Sequence, residues 1–149
     1  CGGRHILLVP PGPVLCRQFG LGDWEARTLA ALHAITRREI RVSYKGDPVP
    51  LAERLRDCHA VVTYSSNVAV DAIVAGVPAF CAPMAAAAPV AGRLQDLQRD
   101  IECPPRPDRT AWACGLAAGQ WTVDELRRGA ARGLIGEATA CKQASSATA

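Results

Sequence analysis

Residues 60–83 constrain this chain more than any other stretch. Ala60 to Thr63 is a short apolar run, and Tyr64-Ser65-Ser66-Asn67 is a polar turn. Val68 to Ala75 then has the length of two helical turns, Gly76 follows, and Val77 to Cys81 is apolar again. Short apolar runs on either side of a helix read as parallel strands, because a parallel sheet is covered on both faces. Gly76 is expected to be a left-handed helix stop, and Pro78 suits the beginning of a strand. The whole is one strand–helix–strand unit, with hydroxyls and amides gathered where the first strand ends. In a doubly wound sheet that carboxyl edge is where ligands bind.

The rest of the chain alternates in the same way. His5 to Val9 reads as a buried strand stopped by Pro10-Pro11-Gly12-Pro13. Apolar residues Trp24, Leu29, Leu32 and Ile35 predict a helix over 23–35 with Asp23 as its N-cap. Ile40 to Tyr44 alternates like a half-exposed strand, and Lys45-Gly46-Asp47-Pro48 turns the chain. Pro50 to Asp57 predicts a short helix with Pro50 in its first turn. Beyond the central unit, 84–91 is expected to be a loop or short helix start, 93–101 a helix and 103–107 a Pro-rich loop. Asp108 is placed to cap a helix running to Ala118. Thr122-Val-Asp-Glu125 has the form of a capping box and opens a last helix from Val123 to about Arg132. From Gly136 onward the sequence is small and polar. The expectation is an α/β chain: one Rossmann-like, doubly wound parallel sheet over 1–135 with four legible strands, and a flexible tail over 136–149.

Composition narrows the function classes. A length of 149 residues suits one domain. The net charge is +3 with acids and bases interleaved, so nucleic-acid binding is not indicated. The chain opens on Cys1 rather than Met, which reads as a processed or truncated start. No apolar run approaches the roughly 20 residues of a membrane span, and a cytoplasmic location is expected. The seven cysteines are odd in number and form no Cys-x-x-Cys pair. Neither a disulfide framework nor a structural zinc site is therefore expected. The three histidines, His5, His33 and His59, are not at ligand spacing either, so no metal is expected.

Candidate chemistry clusters at the carboxyl edge. Ser65, Ser66 and Asn67 precede a helix whose first amides lack partners, a place suited to phosphate oxygens. Plain helix capping is the other reading of the same residues. Lys45 closes the second strand at this edge and is a candidate phosphate contact, or an exposed loop lysine. Pro11 and Gly12 close the first strand there, and Gly12 would let a nucleotide come near the backbone. Asp71 lies one turn into the helix, as a ribose contact or a solvated acid. Asp23 and Glu25 are candidate bases. No phosphate-loop, Gly-x-Gly-x-x-Gly or Gly-x-Ser-x-Gly motif occurs. A serine nucleophile would need His5, His33 or His59 as its base.

The run Thr63-Tyr-Ser-Ser-Asn-Val-Ala-Val-Asp71-Ala, followed by Gly76-Val-Pro78, resembles the donor-binding, C-terminal half of GT-B glycosyltransferases. It is most similar to capsule-polysaccharide transferases of the Kdo-transferring kind and is related to UDP-N-acetylglucosamine 2-epimerases. Gln120-Trp121-Thr-Val-Asp-Glu-Leu126 resembles segments of small phage and prophage proteins. The resemblance implies a nucleotide-sugar donor, with phosphate on Ser65, Ser66 and Asn67 and ribose on Asp71. That acid is one methylene shorter than the family's usual Glu. It also implies metal-independent sugar transfer and no cofactor besides the donor. The acceptor could be a polysaccharide, a lipid-linked sugar or a modified base. GT-B enzymes carry two such domains, so a second Rossmann-like domain or chain is an implied partner. A binding module without turnover, and half of a sugar-nucleotide epimerase, are the alternatives.

Overall fold

β1 (His5–Val9) is buried along its whole length, as a central parallel strand should be. The computed structural model describes residues 2–129. Four more strands join β1 in one sheet: β2 (Glu39–Val42), β3 (Cys58–Thr63), β4 (Ala79–Cys81) and β5 (Gly92–Arg93). Their order is β2-β1-β3-β4-β5 and every pairing is parallel. The helices are α1 (Pro13–Phe19), α2 (Trp24–Ile35), α3 (Leu51–Arg54), α4 (Val68–Val74), α5 (Leu97–Asp100), α6 (Thr110–Ala118) and α7 (Val123–Arg127). No described helix is long and apolar enough to cross a membrane.

Alternation along the strands sorts the core into two layers. Leu7, Val9, Val61, Ala79 and Cys81 face one way and pack with Ala69, Ala72 and Ile73 of α4 and with Leu55. Ile6, Leu8, Ala60, Val62 and Phe80 face the other way and meet Trp24 and Leu32 of α2 with Leu97 and Ile101. Helices thus cover both faces of an all-parallel sheet, a Rossmann-like α/β arrangement. From β1 the chain crosses to β2 on one side of the sheet, whereas β3 leads through α4 to β4 on the other. The direction of winding reverses between β1 and β3, and a crevice forms at such a switch point.

The chain divides into two compact units, Cys1–Trp112 and Ala113–Ala149. In the second unit the capping box forms as read: Thr122 Oγ1 accepts from the Glu125 amide at 3.2 Å, and Glu125 Oε2 accepts from the Thr122 amide at 2.7 Å. The expected continuation of this helix to Arg132 and the tail over 136–149 lie outside the described residues.

Several local expectations change. Asp23 stands at the N-cap of α2 without a capping bond, because its carboxylate pairs with Arg27 at 3.0 Å. α3 is a single turn, closed by Asp57 at φ +55°, which swings the chain into β3. The Pro-rich stretch after β1 does more than turn: Pro13 becomes the first residue of α1, where its missing N–H costs nothing. The expected helix over 93–101 starts instead as β5, because Gly92 pairs with Phe80 and Arg93 with Cys81. Gly92 fits only because it lacks a side chain; a Cβ there would lie 2.5 Å from the Phe80 ring.

Gly76 has φ +87°, and the Val77 and Gly76 amides donate to Ala72 and Ile73 carbonyls at 2.8 and 3.0 Å. This is a Schellman stop, as expected from the sequence. A Cβ at Gly76 would only touch the Arg109 guanidinium at 4.0 Å, so space is not limiting. Gly76→Ala is expected to destabilise the protein by about 1 kcal/mol through backbone strain alone. Urea denaturation of the variant would show it, and an unchanged midpoint would contradict it.

Candidate functional site

Thr63, the last residue of β3, organises the crevice at the switch point. It is fully buried. Its Oγ1 donates to the Val9 carbonyl at 2.8 Å, joining the ends of β1 and β3. The same oxygen accepts from the Ser66 amide at 3.3 Å and so sets the Ser65-Ser66 turn. Thr63→Val keeps the shape but leaves a buried carbonyl and an amide unpaired. A loss of about 2 kcal/mol is expected, together with weaker ligand binding. Thermal melting and ligand titration of the variant check the two effects.

A cavity of about 630 Å³ opens beside this junction. β1 contributes Val9 and the Pro10-Pro11-Gly12 segment that follows it, and α1 contributes Leu15 and Cys16. From the end of β2 come Ser43, Tyr44 and Lys45, and from α3 comes Arg54. Ser65, Ser66 and Val68 complete the wall, with Glu25 of α2. Three strand ends thus meet around one space, which the sheet order requires. A Cβ at Gly12 would meet nothing, so that wall is open.

Of the residues expected at the site, Pro11, Gly12, Lys45, Ser65 and Ser66 come together around this cavity. Asn67 and Asp71 do not line it. Both are exposed, because α4 turns Ala69, Ala72 and Ile73 inward and so carries Asp71 on its outer side. The helix mouth also differs from the sequence picture of free amides. The Val68 amide donates to Ser66 Oγ at 3.2 Å and the Ala69 amide to the Ser66 carbonyl at 3.1 Å. Ser66 therefore caps the helix, and Asn67 makes no capping bond. Positive charge at the cavity comes from side chains instead.

Arg54 is the residue that sequence reading missed. Its guanidinium donates from Nη1 to Ser43 Oγ, and the same nitrogen lies 3.6 Å from Asp47 Oδ2. Asp47 sits in the turn after Lys45, where Gly46 has φ +90° and the Asp47 amide donates to the Tyr44 carbonyl at 3.2 Å. Nothing in the sequence singled it out: 50–57 reads as two helical turns, whereas α3 closes after one and leaves the Arg54 side chain within reach of the carboxyl edge.

Glu25 and Tyr44 form the opposite group. The Tyr44 hydroxyl donates to Glu25 Oε1 at 2.5 Å, and this hydrogen bond raises the phenol above its ordinary pKa. Asp23, the other acid named from sequence, is not in the cavity wall. Among the lining residues Glu25 is the one carboxylate.

No imidazole reaches the serines. His5 lies with Nε2 3.0 Å from the Arg54 carbonyl, and His59 donates from Nε2 to the Ile101 carbonyl at 2.7 Å. Both are buried, and desolvation holds His59 below its usual pKa. His33 is exposed on α2. Burial pushes the Cys58 and Cys81 thiols up to about 11, which leaves them poor nucleophiles. Among the described residues no group of His, Cys, Asp and Glu has metal-binding geometry.

Fold and cavity together define an α/β unit with a pocket at the carboxyl edge of a parallel sheet, its charged groups being Lys45, Arg54 and Glu25. No family model, curated protein or solved structure matches this chain.

Proposed function

We propose that the cavity binds a nucleotide-sugar donor and that the chain is the donor-binding half of a GT-B-like glycosyltransferase. The observation that carries this reading is the convergence of Lys45, Arg54, Ser65 and Ser66 around one cavity at the switch point. A donor needs that combination: cations and hydroxyls for its phosphates, and apolar walls such as Pro10, Pro13 and Leu15 for its rings. In transfer, an acceptor oxygen attacks the anomeric carbon as the bond from that carbon to the phosphate oxygen breaks. Negative charge grows on the departing phosphate, and fixed cations stabilise it most at that moment. In this reading Lys45 supplies that charge without a metal, and Arg54, which shares its own with Asp47, adds to it. The acceptor base would come from a second domain or chain.

A second reading, binding without turnover, applies where no second domain or chain supplies that base, because Glu25 inside the cavity is occupied. As the one carboxylate of the wall, it is already engaged by the Tyr44 hydroxyl. Calorimetric titration with UDP-N-acetylglucosamine and CMP-Kdo, followed by measurement of released nucleotide with candidate acceptors, separates the two. Binding with turnover supports the transferase, and binding alone supports the module. Failure of the folded protein to bind any nucleotide or nucleotide sugar would reject both.

A further inference from the structure

We propose that Glu25 and Tyr44 form a diol-recognition pair in the cavity, taking two neighbouring hydroxyls of the bound ligand. The inference rests on the nucleotide-sugar reading and deepens it. The resemblance had assigned the ribose to Asp71, but Asp71 is exposed and outside the cavity wall. A sugar hydroxyl in that space needs another acceptor, and Glu25 is the acid that faces it.

The geometry of the pair suits two O–H donors side by side. Glu25 Oε1 accepts the Tyr44 proton at 2.5 Å, while Oε2 has no partner among the described residues. Because the Tyr44 proton is committed to Glu25, the phenol oxygen turns its lone pairs outward as an acceptor. The pair therefore offers a carboxylate oxygen and a phenol oxygen next to each other, both acceptors. Vicinal hydroxyls present the complementary donors. Glu25 is half-buried and shares its wall with Pro10, Pro13, Leu15 and Val68, whereas Tyr44 is exposed, so the pair stands at the solvent-facing rim of the cavity with a charged acceptor on its inner side. Lys45 lines the same cavity, so one ligand can present its phosphate to the lysine and its diol to the pair.

A vicinal diol reaches the cavity either on the ribose or on the transferred sugar, and three probes distinguish them: UDP, 2′-deoxy-UDP and UDP-N-acetylglucosamine. Their affinities are measured calorimetrically for wild type, Glu25→Gln, Tyr44→Phe and Asp71→Asn, with circular dichroism confirming the fold of each. Glu25→Gln is expected to weaken diol binding about tenfold, Tyr44→Phe less, and Asp71→Asn not at all. If the loss appears with UDP but not with 2′-deoxy-UDP, the pair holds the ribose. If it appears only with UDP-N-acetylglucosamine, the pair holds the sugar. Wild-type affinity of both Glu25→Gln and Tyr44→Phe for all three probes overturns the proposal and leaves nucleotide binding intact. If wild type binds none of them, the nucleotide-sugar reading itself fails.

Discussion

Phe80→Ala is expected to destabilise the protein by about 3–5 kcal/mol, the range for emptying a large aromatic from a packed core. Phe80 is fully buried in β4 and lies between two constraints. On one side it packs in the layer formed with Ile6, Leu8, Val62 and Ile101. On the other, its ring occupies the space where a side chain on Gly92 would stand, with Cδ1 and Cε1 both 2.5 Å from an ideal Cβ. Removing the ring leaves a void that the rigid sheet cannot close, so lost transfer energy and cavity cost add. Gly92→Ala should itself cost about 1–3 kcal/mol by overpacking. The two effects must be coupled, since the same volume is contested. In the Phe80→Ala background, Gly92→Ala should cost little or nothing. A double-mutant cycle by guanidinium denaturation measures this. Additive costs would mean that the ring and Gly92 are not in contact as described.

Lys45→Glu is expected to weaken nucleotide-sugar binding by about a hundredfold while leaving folding stability nearly unchanged. Lys45 is exposed and forms no ion pair among the described residues, so the fold does not depend on its charge. At about 4 Å, one charge pair is worth about 1 kcal/mol in water and about 4 kcal/mol near a protein surface. Lys45 is exposed, so the value lies near the water end; reversal turns that attraction into an equal repulsion, a change of about 2–3 kcal/mol or about two decades in Kd. Salt should narrow the gap, because an exposed charge is screened within about 10 Å at 0.1 M. Calorimetric titration with UDP-N-acetylglucosamine at two ionic strengths reads both effects. Equal affinity of Lys45→Glu and wild type would place the phosphate elsewhere and remove the main support for the proposed function.

The layer order of this protein was legible because burial on two faces imposes a pattern that survives in one dimension. β1 matches the run His5 to Val9 residue for residue, and α4 with its Gly76 stop falls within one residue of expectation. The capping box at Thr122 was equally local, since all its partners lie within one turn. What failed was long-range or short in span. β5 has two residues, and it is a strand only because Gly92 can lie against Phe80 from β4. α1 was hidden by its prolines, which read as a turn unless Pro13 is recognised as a first helical residue.

The candidate site divides along the same line. The amino-acid sequence determined which chemical groups stand at the ends of the strands: Gly12 after β1, Lys45 after β2, and Ser65 and Ser66 after β3. Each of those positions follows from where an apolar run stops, a local property of the chain. Only the tertiary structure decided which of them share a cavity and which do not. The rotation of α4 about its axis follows from packing Ala69, Ala72 and Ile73 on the sheet, and this sends Asp71 outward. The parallel order β2-β1-β3 brings Glu25 and Arg54 to the Tyr44-Lys45 strand end, a juxtaposition that no local pattern encodes. Strand ends are set by neighbours in the chain, whereas a site is set by neighbours in space.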